Sequence, residues 1–190
     1  MELYEAFDRA VQSTAGIVKQ IRPDQLTATT PCSEWDVKEL LNHIIGTLWL
    51  CQALFADEVP SGEEGPKGLP ARDLAGDDPS AAYAEAAAAA LASAGREGAL
   101  TSPHQTPLGE MPGPALAGFT TLDVLVHGWD LAKATGQCTD LDPELAEHVF
   151  GFAGQAFTEE TRQFRIGPAV PIADDASVVD RLVACLGRQP

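Results

Sequence analysis

The chain contains 190 residues, of which 45% are hydrophobic and 21% are charged, and its formal net charge at pH 7 is −16. This length and composition predict one globular domain over residues 1–190 with a sizeable hydrophobic core. The acidic excess would repel nucleic-acid phosphates, and the longest apolar run, over residues 43–54, is too short to cross a bilayer. Because the first ten residues are charged and amphipathic rather than an apolar leader, we expect a cytoplasmic protein that binds neither nucleic acid nor membrane.

Hydrophobic periodicity predicts two long helices in the first third of the chain. The first covers residues 2–20 and ends before Pro23, and the second covers residues 34–55 after a loop, with Ser33 as its N-cap. The second helix has apolar residues at helical spacing, and these form its predicted core face: Val37, Leu40, Leu41, Ile44, Leu48 and Cys51.

The middle of the chain alternates between loop-forming and helix-forming segments. Residues 57–79 are rich in glycine, proline and acidic residues and predict an exposed loop. A third helix is predicted over residues 79–96, with Asp78 as its cap and Pro79 in its first turn. Residues 98–113 follow with several prolines and glycines, a pattern that leaves open either a long crossover or a short β-hairpin.

The last third of the chain predicts two more long helices and a tail. The fourth helix covers residues 114–135 and ends at Gly136, and the fifth covers residues 142–165. The tail, residues 166–190, contains an extended segment and a short helix over residues 176–186. Long helices with one long connection predict an all-α protein, a four-helix bundle with a crossover and with the tail packed against it.

The fourth predicted helix carries a polar stripe on an otherwise apolar surface. Asp123, His127 and Asp130 follow at i, i+4 and i+7, a spacing that places them within roughly 60° of one another around a helix. Two carboxylates and an imidazole are costly to bury unless they are paired or bind a metal. Asp123 and His127 can ligate one ion from the same face, and His43 in the second helix is the candidate third ligand.

Two interpretations of this stripe remain open on the residues alone. Two imidazoles and a carboxylate suit Zn²⁺, Ni²⁺ or Fe²⁺ with positions left for a substrate, whereas the alternative is an Asp–His hydrogen bond on a helix surface beside an unrelated core histidine. Asp130 can orient a ligand imidazole or act as a catalytic base. Otherwise it caps the helix or pairs with Lys133.

Four cysteines are scattered along the chain, and none has the spacing of a structural zinc site. Cys51 and Cys185 lie in apolar helical patterns and are predicted to be small core residues. Cys32 precedes a predicted helix N-terminus, where thiolate character can be favoured, but a structural role is the preferred interpretation.

The other aromatic and histidine residues are assigned to the core or to solvent. His104 lies in a proline-rich loop and His148 lies beside Glu147, so both are predicted to be solvated rather than metal ligands. The three tryptophans are predicted to be core residues: Trp35, Trp49 and Trp129.

Two motifs give the chain a family resemblance. The segments TPCSEWDVKELLNHIIG and DVLVHGWDLAKATG resemble the DinB/YfiT-like metal-binding superfamily, and within it the branch that includes mycothiol-dependent maleylpyruvate isomerase. The tail, IGPAVPIADDASVVDRLVACLGR, resembles that of uncharacterised metal-binding proteins of the same branch. The resemblance implies a four-helix bundle with a divalent metal near one end of its core, and His43, Asp123 and His127 as ligands.

The resemblance also implies a chemistry. Family members use a metal-activated thiol, mycothiol or a similar one, to attack a small electrophilic substrate, so the leading hypothesis is a metal-dependent thiol transferase or isomerase, with zinc the first choice of metal. The isomerase pattern has glutamate where this chain has Asp123, and we expect the protein to lack the isomerase's additional C-terminal domain. A non-enzymatic metal- or small-molecule-binding bundle, a metal hydrolase and a homodimer all remain open.

Overall fold

Six α-helices and one two-stranded sheet account for the regular structure in the described part of the computed structural model, which comprises residues 1–58, 73–107, 109–157, 162, 166–173 and 175–190. A short 3₁₀ turn, Pro23–Gln25, follows the first helix. The elements in chain order are α1 (Leu3–Val18), α2 (Val37–Phe55), α3 (Pro79–Ala94), β1 (Pro103–Thr106), β2 (Gly109–Pro112), α4 (Gly113–Thr135), α5 (Pro143–Ala156) and α6 (Val178–Cys185). The protein is therefore mostly helical, as predicted.

The start of α2 differs from the prediction. Asp36, not Ser33, is the N-cap, because its carboxylate accepts a hydrogen bond from the Glu39 amide while the Glu39 carboxylate accepts one from the Asp36 amide. This reciprocal arrangement satisfies two amides that would otherwise lack partners. The Thr30 hydroxyl donates to the Trp35 carbonyl at 2.8 Å, so the residues before Asp36 form a turn rather than a first helical turn.

Residues 98–113 form the hairpin alternative. The strands β1 and β2 pair antiparallel, and Gly109, with φ of 103°, lies at the turn between them. His104 is only 2% exposed, so its prediction as a solvated residue was wrong. The hairpin brings His104 against the Phe55 ring, and its two ring nitrogens lie 3.0 Å from Asp57 Oδ1 and 2.6 Å from the Ala99 carbonyl oxygen.

The first four helices pack against one another. α1 packs on α4 and α3, and α2 packs on α3 and α4, so α1–α4 surround the larger of two hydrophobic cores. All six residues of the predicted α2 core face are buried in it. The Tyr83 hydroxyl donates to the Val11 carbonyl oxygen at 3.0 Å, which ties α3 to α1 inside this core.

A second core lies between α1, α4, α5 and α6. α5 ends at Ala156, and residues 158–161 and 163–165, over which the fifth helix was predicted to continue, lie outside the described residues. Most of the loop predicted over residues 57–79 also lies outside them. The amide of Val170 donates to the Ala184 carbonyl oxygen at 2.9 Å, so the extended segment runs beside α6. Within the described ranges, no helix is long and apolar enough to cross a membrane.

The α1–α4 interface depends on the absence of a side chain at Gly128. A Cβ there would lie 3.2 Å from Thr14 Cβ and closer still to its hydroxyl, which donates to the Val124 carbonyl oxygen at 2.9 Å. We expect Gly128→Ala to lower the free energy of unfolding by about 1–3 kcal/mol, because a buried, branched Thr14 has little room to move. Urea denaturation measures this change. Gly151→Ala on α5, where an added Cβ meets nothing within 4 Å, is the matched control, and equal effects of the two changes would contradict the prediction.

Candidate metal centre

Helices α2 and α4 bring the three predicted ligands together. His43 lies on α2, and Asp123 and His127 lie one turn apart on α4. Asp123 Oδ1 is 3.2 Å from His43 Nε2 and 3.5 Å from His127 Nε2, and the two imidazole rings meet edge to face at 4.9 Å. Each residue offers a ligand atom within 4.8 Å of the others. The polar stripe of α4 therefore faces a second imidazole rather than solvent.

Two polar atoms of this cluster have no partner. Among the described residues, His43 Nδ1 and Asp123 Oδ2 are buried without a hydrogen bond. An unpaired buried polar atom costs about 1–3 kcal/mol, so a cluster that contains two of them fits a site completed by a ligand. Two imidazole nitrogens and a carboxylate oxygen form a donor set that zinc accepts, with room for a further ligand. The residues present therefore fit a divalent metal.

The charges of the cluster favour the ionised carboxylate. Burial alone would raise the pKa of Asp123, but the neighbouring imidazoles of His43 and His127 outweigh burial and hold that pKa well below its ordinary value. Burial likewise opposes a charge on His127. Asp123, with the larger effect, and Asp130 nevertheless raise the pKa of His127 well above its ordinary value. Without a metal, these shifts favour an ion pair between Asp123 and His127, whose side chains are partly buried.

Asp130 contacts His127 from the opposite side of the ring. The Asp130 carboxylate is fully buried, and its Oδ2 lies 2.9 Å from His127 Nδ1. Because an ionised carboxylate can only accept a hydrogen bond, the proton of this contact belongs to Nδ1, and Nε2 faces Asp123. Of the roles left open for Asp130, the contact with His127 is present. The alternative of a pair with Lys133 is not formed, since the Lys133 ammonium lies over the Trp129 ring at 5.4 Å.

Cys32 and Arg188 also belong to this region, and sequence reasoning missed the second of them. Cys32 Sγ lies 3.3 Å from Asp130 Oδ2 and 3.7 Å from His127 Nδ1. Arg188, which follows α6, donates through Nη2 to Asp130 Oδ2 at 2.8 Å and to Cys32 Sγ at 3.3 Å. Burial raises the pKa of Asp130, but the contacts with His127 and Arg188 lower it by more, so the pKa lies below its ordinary value.

The signal for Arg188 in the sequence was weak. The residue stands beyond the last predicted helix, in no periodic pattern, and the only hint was a basic residue directly after Gly187, where a helix ends. Cys32 stood out in the sequence because it lies two residues before Glu34, at the predicted start of α2. That position did not predict a contact with Asp130.

The tryptophans divide between core and site. Trp129 is 1% exposed and belongs to the second core, whereas Trp49 is only partly buried and packs against the first. Trp35 also packs against the first core, but its ring stacks on His43 with centroids 4.6 Å apart and lies 6.0 Å from the His127 ring. Trp35 therefore covers the histidine cluster, a role that its assignment to the core did not include.

The remaining predicted residues lie elsewhere. His148 on α5 is partly exposed, and burial lowers its pKa. Cys51 is buried, and burial raises the pKa of its thiol to about 12, as expected for an inert core residue. Cys185 is partly buried at the end of α6.

Comparison with known proteins identifies the family of the chain. The sequence model of the mycothiol maleylpyruvate isomerase N-terminal domain matches residues 7–132. The chain belongs to this family. The match includes the histidine cluster and Asp130 but ends before Arg188.

Two curated relatives resemble the whole chain. Both are uncharacterised proteins of Mycobacterium tuberculosis, one from strain CDC 1551 and one from strain H37Rv. Each is 39% identical over 194 aligned residues, which cover 99% of this chain and 98% of the relative. No solved structure gives a significant match.

Proposed function

We propose that this protein binds a divalent metal ion, with zinc as the preferred ion, through His43, Asp123 and His127. The observation that carries the proposal is the meeting of two imidazoles and a carboxylate between α2 and α4, with buried atoms left unpaired. Membership of the mycothiol maleylpyruvate isomerase N-terminal domain family supports it. Nickel or iron would suit the same nitrogen and oxygen donors. The arrangement of α1–α4 supports the finer proposal of a four-helix bundle of the DinB type.

We further propose that the protein is a thiol transferase or isomerase acting on a small electrophilic substrate, with mycothiol or a similar thiol as cosubstrate. A divalent ion at the site would supply the positive charge that lowers the pKa of a thiol and makes it nucleophilic near neutral pH. The chain's own residues prepare the site for that charge. His43 and His127 would supply nitrogen donors to a bound ion, and Asp123 would supply the negative charge that favours a cation over a neutral guest.

Other residues position these donors and limit the access of water. Asp130 accepts a hydrogen bond from His127 Nδ1–H and thereby leaves Nε2 free to face Asp123. Trp35 covers one face of His43, and the side chains of His43 and His127 are only 17% and 13% exposed. Because aspartate is one methylene shorter than the glutamate expected at position 123, we expect the carboxylate to reach less far from α4.

The test of this function combines a metal assay with a thiol assay. Purified protein is expected to carry about one zinc per chain by elemental analysis and to accelerate the conjugation of mycothiol to a generic electrophile such as monobromobimane. Treatment with a chelator should remove the acceleration, and added Zn²⁺ should restore it. Conjugation that is unaffected by the chelator would contradict a metal-dependent thiol enzyme. Bound zinc without any conjugation would contradict the transferase or isomerase activity while leaving the metal site in place.

A further inference from the structure

Asp130 is the centre of a polar network that extends beyond the proposed metal ligands. Its fully buried carboxylate contacts His127 Nδ1 at 2.9 Å and the Cys32 thiol at 3.3 Å. Arg188 contacts the same carboxylate at two points, through Nη2 to Oδ2 at 2.8 Å and through Nε to Oδ1 at 3.3 Å. A two-point contact of this kind fixes the plane of the carboxylate as well as its charge. Arg188 therefore restrains the group that in turn contacts His127.

The local backbone delivers Arg188 to this position. Gly187 has a φ of 84°, and the amides of Gly187 and Arg188 donate to the Ala184 and Val183 carbonyl oxygens at 3.0 Å. These two bonds and the left-handed glycine form the usual C-terminal cap of a helix, which reverses the chain after α6. Arg188 Nη1 also donates to the Leu186 carbonyl oxygen at 2.9 Å. A hydrogen bond within its own segment therefore helps to hold the guanidinium in the orientation in which it contacts Asp130.

We propose that Arg188 is a positioning residue of the metal centre, which acts through Asp130 to hold His127 in its ligand orientation. The inference rests on the proposed metal site. It extends the site beyond the part of the chain that the family model matches, since that match ends at residue 132. It also assigns the segment after α6 a role in metal binding that no comparison supplies.

The physical reason is the cost of an unpaired buried charge. Asp130 is fully buried and Arg188 is 15% exposed. On the side away from His127, the Arg188 guanidinium supplies the positive charge that pairs with the Asp130 carboxylate. Without Arg188, the carboxylate keeps one imidazole and one thiol as partners, and its plane is no longer fixed. The His127 ring then loses the defined acceptor that keeps its Nδ1 protonated and its Nε2 directed at Asp123. Partners of this kind typically change metal affinity by about 10–100-fold.

The experiment compares zinc affinity among folded variants, by competition with a fluorescent chelator. Arg188→Ala is expected to raise the zinc dissociation constant by about 10–100-fold. Arg188→Lys should recover part of the loss, because an ammonium supplies the charge but not the two-point contact. Added guanidinium ion in the millimolar range should recover affinity in Arg188→Ala. The visible spectrum of the Co²⁺-substituted protein should also change in Arg188→Ala, because it reports the geometry of the ligands.

Arg181→Ala is the matched control. Arg181 lies on α6 itself and pairs with Glu147 at 3.7 Å, so its loss should leave the zinc affinity and the Co²⁺ spectrum unchanged. Circular dichroism verifies that each variant is folded, and Arg188→Lys carries the comparison if Arg188→Ala does not fold. A merely structural role for Arg188 would lower thermal stability without moving either metal readout.

The outcomes separate this inference from the function on which it rests. If the wild-type protein binds zinc and folded Arg188→Ala binds it equally tightly, the inference is overturned and the proposed metal site stands. Where Arg188→Ala does not fold, wild-type affinity in Arg188→Lys overturns the inference in the same way. An equal loss of affinity in Arg181→Ala also overturns the inference, because the effect then belongs to the whole segment. If the wild-type protein binds no divalent metal, the proposed function fails and the inference fails with it.

Discussion

Replacement of His127 by alanine is expected to weaken zinc binding by at least about 100-fold. If roughly 10 kcal/mol of binding energy is shared among three protein ligands, each contributes about 3 kcal/mol, which corresponds to about a hundredfold change in affinity. His43→Ala should have a similar effect, because His43 and His127 lie at comparable distances from Asp123 Oδ1. Competition with a chelator of known affinity measures both changes, and elemental analysis of the purified variants should show loss of the metal.

His148→Ala is the control for this prediction. His148 is a partly exposed histidine on α5 and does not belong to the cluster of His43, Asp123 and His127, so its removal should leave the zinc content unchanged. His104 would be a poor control, because it is buried and its loss would disturb the hairpin. Stoichiometric zinc in both His43→Ala and His127→Ala would show that the metal, if any, is bound elsewhere.

Replacement of Asp130 by asparagine is expected to lower the free energy of unfolding of the metal-free protein by about 3 kcal/mol at pH 7. The change removes the charge that pairs with Arg188 and His127 inside the protein, and breaking a buried ion pair at one partner typically costs about 3–5 kcal/mol. We expect the lower end of that range, because Arg188 is 15% exposed and retains some contact with water. Urea denaturation of chelator-treated protein measures the difference.

The same variant gives a pH dependence with a definite sign. The folded protein holds the pKa of Asp130 below its ordinary value, which is about 3.9 in an unfolded chain. The ionised carboxylate therefore stabilises the fold above about pH 4, and this contribution is lost as the pH falls through the lower, folded value. The difference in stability between the wild type and Asp130→Asn should accordingly be full at pH 7 and shrink on acidification below about pH 4.

The control for this prediction is an exposed ion pair. Asp24 pairs with Arg22 at the surface, where their side chains are 72% and 63% exposed, so Asp24→Asn should change stability far less than Asp130→Asn. A difference between wild type and Asp130→Asn that grows as the pH falls would contradict the assigned role, because it would mean that the folded protein favours the protonated carboxyl.

The helices were predictable because their information is local. Apolar residues at helical spacing identified the buried face of α2, and Gly136 marked the end of α4, where its φ of 68° suits glycine. The start of α2 was misplaced because Ser33 and Asp36 are both good caps, and only the turn formed by Thr30 decides between them. The choice between crossover and hairpin for residues 98–113 was also open, because proline and glycine are compatible with both structures.

The site was predictable where its residues share one helix. The i, i+4 spacing of Asp123 and His127 defines a common face whatever surrounds it. His43 was the candidate third ligand because it lies in an apolar helix, and the family resemblance implied the same residue. Its contact with Asp123 depends on how α2 packs against α4. The spacing of residues along the chain carries no information about that packing.

By itself, the sequence determined the helices, the apolar faces that drive them together and the polar stripe of α4, because periodicity within a helix fixes which side chains share a face. Only the tertiary structure decided that Trp35 covers His43, that His104 is buried and that Cys32 and Arg188 meet at Asp130. Cys32 and Arg188 are 156 residues apart in the chain. Contacts of this kind arise from the packing of separate segments around a buried charge, and they leave no periodic trace in the sequence.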